Sequence, residues 1–105
     1  MKILVKSRVG HETHYDFAEE VTIGREVKAD AAIILNHSQV SREHARIFRQ
    51  NGDYVLQDLG STNGTLLNGE SVTEVTSIVE NDVIKIHHFE LVFLADKVID
   101  TLEPE

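Results

Sequence analysis

The sequence predicts an all-β domain, an antiparallel sandwich or barrel of short strands. Three observations lead there. Apolar residues alternate with period two along several segments, tight-turn dipeptides separate those segments, and no helix-length amphipathic segment stands out. At 105 residues, 41% of them hydrophobic and 27% charged, the chain has ordinary globular composition and the size of one domain.

Lys2 to Val9 alternates Ile3, Val5 and Ser7 against Leu4 and Lys6, and its β-branched content favours a strand. Glu20 to Ile23 reads as a second strand, stopped by Gly24, and Ala31 to Leu35 as a short buried one. Ala45 to Gln50 places Ala45, Ile47 and Arg49 on one face and Arg46 and Phe48 on the other. Tyr54 to Leu59 alternates again, a short strand follows at Leu66, and Val83 to Ile86 and Phe89 to Leu94 supply two closing strands. The turns carry the stronger signal. Asn51-Gly52, Asn63-Gly64 and Asn68-Gly69 are pairs that readily adopt the positive φ angles of a tight turn. Asn51-Gly52 lies between two alternating runs and predicts a hairpin; Asn81-Asp82 predicts another turn. Residues 96–105 are acidic, contain the only proline, Pro104, and read as a tail or the start of a linker, leaving 1–95 as the folded domain.

Composition excludes several classes of function. Without cysteine there is no disulfide framework, thiolate metal site or cysteine nucleophile. The N-terminus has no apolar run suited to a secretory leader, and no apolar run reaches the ~18 residues a membrane helix needs. A formal charge of −8 opposes general binding to nucleic acid or anionic lipid. The expectation is a cytoplasmic, monomeric, acidic domain without a cofactor. Six histidines invite a metal reading, but His11, His14 and His37 show no ligand spacing, and His87 and His88, read as adjacent strand residues, face opposite ways. No metal is expected. Asp16, Glu19 and Glu20 read as a solvated acidic edge. Ser41 and His44 invite a hydrolase reading, yet no Gly-x-Ser-x-Gly elbow or third member accompanies them, so no enzyme is expected.

Against this acidic background, four of five arginines fall between positions 25 and 49: Arg25, Arg42, Arg46 and Arg49. Arg42 sits in the loop 38–44, and a polar cluster, Gly60-Ser61-Thr62-Asn63-Gly64-Thr65, follows the strand ending near Leu59. Two strands joined by a hairpin return the chain to the end it left, so the Ser41 and Thr62 loops are expected to be neighbours. Strand counting leaves Arg25 open. Simple alternation puts it at the far end unless the segment 31–35 is short and its flanks cross over. A guanidinium, hydroxyls and free N–H groups gathered on one spot suit a dianionic phosphate, because the guanidinium fork matches phosphate oxygens. Charge-assisted hydrogen bonds worth about 1.5–3 kcal/mol each outweigh a long-range repulsion that salt screens beyond roughly 10 Å.

Taken together and in this order, Thr22-Ile23-Gly24-Arg25, Val40-Ser41-Arg42-Glu43-His44-Ala45, Asp58-Leu59-Gly60-Ser61-Thr62-Asn63-Gly64-Thr65 and Asn68-Gly69 resemble the forkhead-associated (FHA) domain. The stretch Asn81 to Ile86 resembles that family's penultimate turn and strand. The resemblance implies a sandwich of about eleven short strands that binds phosphothreonine peptides through loops at one end, with the Arg25 loop joining the other two. It assigns Arg25, Ser41, Arg42, Thr62 and Asn63 to phosphopeptide binding. Gly24, His44, Gly64, Asn68 and Gly69 become structural supports of the site, with His44 a buried brace. The implied partner is a protein phosphorylated by a Ser/Thr kinase; a scaffold for unphosphorylated protein is the alternative. Three departures accompany it. The stretch 30–41 is about two residues longer than usual, so either Asp30 or Ala32 takes the family's common aspartate position. Asn81 and His87 stand where glycine is common, and His87 is expected far from the phosphate loops. Asn81 is tolerable because asparagine accepts positive φ. Thr101, in the acidic tail, is a candidate phosphorylation site able to occupy this pocket or another copy's.

Overall fold

The computed structural model describes residues 1–94; residues 95–105, Thr101 and the predicted tail 96–105 among them, lie outside the described residues. Eleven strands form among the described residues, and no helix. They are β1 (Lys2–Lys6), β2 (Glu12–Asp16), β3 (Glu20–Gly24), β4 (Ala32–Ile34), β5 (Ala45–Gln50), β6 (Asp53–Asp58), β7 (Leu66–Leu67), β8 (Glu70–Ser71), β9 (Thr76–Ile78), β10 (Val83–Ile86) and β11 (Phe89–Leu94). One sheet has the order β2-β1-β11-β10-β7-β8 and the other β4-β3-β5-β6-β9. The two face each other as a β-sandwich.

Period-two patterning builds the core directly. Ile3 and Val5 from β1, Ile84 and Ile86 from β10, and Leu91 and Phe93 from β11 meet Val21 and Ile23 from β3, Ile33 from β4, Ala45 and Ile47 from β5, and Leu56 from β6. Each fully buried aliphatic of this size contributes about 1.5–3 kcal/mol. Leu35 and Val40 also lie in the core, although both belong to the connection between β4 and β5. Two apolar anchors inside that connection hold it against the sandwich.

The Asn51-Gly52 turn has both φ angles positive, 53° and 89°, and joins β5 to β6 in the expected register, Gln50 opposite Asp53. One pairing departs from the antiparallel expectation. β4 runs parallel to β3, with Ile23 opposite Ile33 and Gly24 opposite Ile34. Residues 25–31 cross back so that both strands end at the same end of the sandwich. That crossover decides where Arg25 lies, since the chain then returns through 35–44 into β5, antiparallel to β3. β2, β8 and β9 were not anticipated from the sequence. β2 is an edge strand whose residues are largely exposed, so it lacks the apolar alternation that marks a half-buried strand.

Candidate functional site

Three connections meet at one end of the sandwich: the residues after β3, the β4–β5 loop and the β6–β7 loop. They enclose an open cavity of about 510 Å³ lined by Arg25, Ser38, Gln39, Val40, Ser41, Arg42, Glu43, Thr62 and Asn63. All five residues assigned to ligand contact by resemblance line this cavity. Arg46 and Arg49 do not. Arg46 lies 4.0 Å from the centroid of the Phe48 ring and within 4.0 Å of Glu20, and Arg49 pairs with Glu19 at 3.9 Å.

Arg25 is positioned from both its main chain and its side chain. Its N–H donates to the Ser41 carbonyl at 3.0 Å and its Nε donates to the Val40 carbonyl at 2.9 Å. Anchoring Nε fixes the plane of the guanidinium and leaves the two terminal nitrogens. Among the described residues no carboxylate is in ion-pair range of Arg25. Arg42, in contrast, pairs with Glu26 through Nε at 3.2 Å, both side chains being well exposed. Gly24 permits this arrangement by lacking a side chain: a Cβ there would lie 2.1 Å from the Arg42 carbonyl oxygen.

Ser41 joins two loops. Its Oγ accepts the Thr62 N–H at 3.1 Å, which leaves the hydroxyl proton to donate outward. Asn63 donates from Nδ2 to both the main-chain carbonyl (2.8 Å) and the side-chain Oε1 (3.0 Å) of Gln39. Behind them His44 is completely buried. Its Nδ1 accepts the Ser41 N–H at 3.0 Å, which places the ring proton on Nε2, and Nε2 donates to the Gly64 carbonyl at 2.8 Å. Both nitrogens are taken by main chain, so His44 holds the loops together and makes no hydrogen bond to the Ser41 hydroxyl.

Asp58, to which the motif resemblance assigns no role, organises the β6–β7 loop. Its carboxylate accepts from the N–H groups of Gly60 and Ser61, each at 3.0 Å, from Ser61 Oγ at 2.6 Å and from the buried Thr65 Oγ1 at 2.7 Å. The signal was present: an aspartate ending a strand before Gly-Ser-Thr is an Asx-turn former. Ser61 Oγ in turn accepts the Gly64 N–H. Asn68 and Gly69, assigned by resemblance to support of the site, form the β7–β8 turn. There Asn68 bonds Asp82 and Val83 at the start of β10 rather than the loops that line the cavity.

Partial burial of Asp58 acts to raise its pKa. The hydrogen bonds from the Ser61 and Thr65 side chains and the Ser61 N–H, with a smaller electrostatic contribution from the nearby His44 imidazole, together outweigh it and hold the carboxyl below its ordinary value. A pKa lowered on folding adds stability that is complete above the unfolded value, ~3.9, and is lost as pH falls through the folded one. Asp58→Asn is therefore expected to be less stable than wild type at neutral pH, with the gap closing as pH falls below about 4. Urea midpoints measured across that range check this, and a pH-independent gap would show that the charge is not what holds the loop.

His87 and His88 do not lie in a strand; they form the β10–β11 turn, with His87 at φ 55°. Their rings are 3.9 Å apart, and His87 lies 4.2 Å from His37 of the β4–β5 loop. His87 is thus beside the β4–β5 loop that helps line the cavity, not far from it. Among the described residues no group of three His, Cys, Asp or Glu is arranged to hold a metal ion.

A guanidinium and hydroxyls presented by loops at one end of a rigid β-sandwich define a binding domain suited to an anionic ligand. The family model described as "FHA domain" matches residues 21–96, and the chain belongs to the forkhead-associated family. It is 35% identical over 98 residues to an FHA domain-containing protein of Arabidopsis thaliana, covering 91% of this chain and 25% of that protein. It is 42% identical over 74 residues to the oxoglutarate dehydrogenase inhibitor of Corynebacterium diphtheriae, covering 70% and 49%. Among solved structures, one described as a structural and functional analysis of phosphothreonine-dependent FHA domain interactions superposes with a TM-score of 0.72 at 30% identity, covering 88% of this chain and 94% of that one. The chain spans between a quarter and a half of these two curated relatives.

Proposed function

We propose that this chain is a phosphothreonine-dependent recognition module that binds a phosphorylated segment of a partner protein and catalyses no reaction. The carrying observation is Arg25. It is a guanidinium without a carboxylate partner among the described residues, tied through Nε to Val40, in the cavity that also holds the Ser41 hydroxyl. Its terminal nitrogens suit two oxygens of a phosphate, and the hydroxyl suits a third. The phosphothreonine-dependent interactions of a structural relative support the same reading. The absence of any Ser41–His44 hydroxyl contact supports a binding role over hydrolysis. Selection of threonine over serine would come from one methyl in a small pocket, about 0.8 kcal/mol, and more where serine leaves a void.

The test is one phosphothreonine peptide library and its dephosphorylated twin passed over the same protein. Retention of the phosphorylated set alone is the expected result; equal retention rejects the reading in favour of a scaffold for unphosphorylated protein. A second expectation concerns pH. The second pKa of a phosphate ester is about 6, so affinity for a phosphopeptide with uncharged flanks is expected to be several-fold weaker at pH 5 than at pH 7.5. Titrations at the two pH values, read by fluorescence anisotropy, decide it. An unchanged affinity would mean that the dianion is not what is bound.

A further inference from the structure

A second cavity, of about 180 Å³, opens on the flank of the sandwich where both sheets end. β8 is the edge strand of the six-stranded sheet and β9 that of the five-stranded one, and residues 72–75 cross between them. The apolar part of the lining is Leu67 and Val72, both packed against the core, and the charged part is Glu70 and Glu74. No lining residue is shared with the phosphate cavity. The volume falls below the roughly 300–1,000 Å³ of a small-molecule site and suits one long side chain.

The charge of this flank is one-sided. From Gln50 to Ile84 the chain has six carboxylates and no lysine, arginine or histidine. Among the described residues no cation lies in ion-pair range of Glu70 or Glu74. The edge itself is open. β9 pairs with β6 alone, and among the described residues Thr76, Ser77 and Ile78 make no main-chain hydrogen bond outside that pairing. An antiparallel ladder turns alternate N–H and C=O groups away from its partner, so β9 offers donors and acceptors to a further strand. Thr76 lines the cavity and Ile78 joins the core, while Val75 and Val79, on the opposite parity, are 42% and 65% exposed. A second copy of β9 does not suit this edge. Antiparallel self-pairing about Ser77 would set Glu74 of each copy opposite Glu80 of the other, and like charges directly opposed are destabilising.

We propose that β9 and the cavity beside it form a second interaction surface, which takes an extended, lysine-bearing segment of a partner protein as an added strand. The surface is independent of the phosphothreonine reading: none of its residues lines the phosphate cavity, and nothing in it requires a phosphate. An added strand places alternate side chains on the two sides of the sheet. One set enters the cavity, where a lysine stem covers Leu67 and Val72 and its ammonium group reaches Glu70 and Glu74. The other set lies beside Val75 and Val79 and suits apolar side chains. The partner segment therefore alternates lysine with valine, isoleucine or threonine, and the last three themselves favour an extended chain.

Two unphosphorylated peptides test this, one alternating lysine with valine and threonine, the other carrying glutamate in place of every lysine. Each is added at low salt to the isotope-labelled full chain while backbone amide spectra are recorded. The lysine peptide is expected to give saturable shifts centred on residues 67–79 and to slow hydrogen exchange of the β9 amides directed away from β6. The glutamate peptide should do neither. Glu70→Gln/Glu74→Gln should weaken the lysine peptide about three- to tenfold, the scale of one or two partly exposed ion pairs. Both side chains are exposed, so the fold should be unaffected, and an unchanged amide spectrum elsewhere reports it. Glu70→Lys/Glu74→Lys should reverse the preference and favour the glutamate peptide. Shifts that spread over every carboxylate without saturating, shifts confined to the phosphate cavity, equal binding of the two peptides, no binding of either, or undiminished affinity in the double glutamine variant each overturn the surface. None of these outcomes touches the phosphothreonine reading, which stands or falls on the phosphorylated library.

Discussion

Arg25→Ala is expected to weaken phosphothreonine-peptide binding by at least about a hundredfold, below detection in a micromolar assay, and Ser41→Ala to do nearly the same. The magnitude for Arg25 follows from two charge-assisted hydrogen bonds at about 1.5–3 kcal/mol each, where 1.4 kcal/mol is a factor of ten. Ser41 loses in two ways: a hydroxyl donor to the ligand disappears, and the Thr62 N–H loses the acceptor that holds it 3.1 Å from Ser41 Oγ. Neither side chain belongs to the apolar core, so thermal melting and far-ultraviolet circular dichroism should change little. Arg25→Lys supplies the finer control. Lysine keeps the charge but neither the planar fork nor the Nε bond to Val40, so its affinity should fall between those of wild type and alanine. Wild-type affinity in both alanine variants would remove Arg25 and Ser41 from the phosphate site.

How much of this was legible beforehand depends on whether the information was local. The Asn51-Gly52 hairpin is a two-residue decision, and both its position and the register of β5 against β6 could be read directly. β2 could not be read in this way. Its sequence, Glu12-Thr13-His14-Tyr15-Asp16, is an edge strand in which only Tyr15 is even half-buried. β8 has two residues and β9 three, too few to show a period. The residues of the cavity were legible as motifs, but the arrival of Arg25 among them depends on the parallel pairing of β4 with β3. That pairing is a long-range choice made by three residues, and only family resemblance supplied its consequence. The histidine stack was hidden for a related reason. Alternation along a strand would separate His87 from His88, whereas a turn with positive φ at His87 brings their rings to 3.9 Å.

Gly24→Ala should disable the protein more completely than either contact mutation, and by a different physical route. The φ of Gly24 is not in the left-handed region, so the backbone itself would accept alanine. Space is what is missing. The added methyl would stand 2.1 Å from the Arg42 carbonyl oxygen, 2.8 Å from its carbon and 3.0 Å from the Glu43 Cα, all of them main-chain atoms that no rotamer change moves aside. To admit it, β3 and the segment 41–44 must separate by an ångström or more. That separation strains the bonds from Arg25 N–H to Ser41, Glu26 N–H to Arg42 and His44 N–H to Ile23 together. Overpacking costs about 1–3 kcal/mol, and each of the three weakened bonds adds about 1 kcal/mol, for a total of about 4–6 kcal/mol in urea unfolding. Binding should vanish even in conditions where the variant folds, because the same displacement moves Arg25 away from Ser41. Gly60→Ala is the informative comparison. At φ 76° with nothing within 4 Å of a Cβ, it meets conformational strain alone, a cost of about 1–2 kcal/mol, and should keep measurable affinity. Should Gly24→Ala match wild type in both stability and affinity, the close approach of β3 to Arg42 would not be what assembles the site.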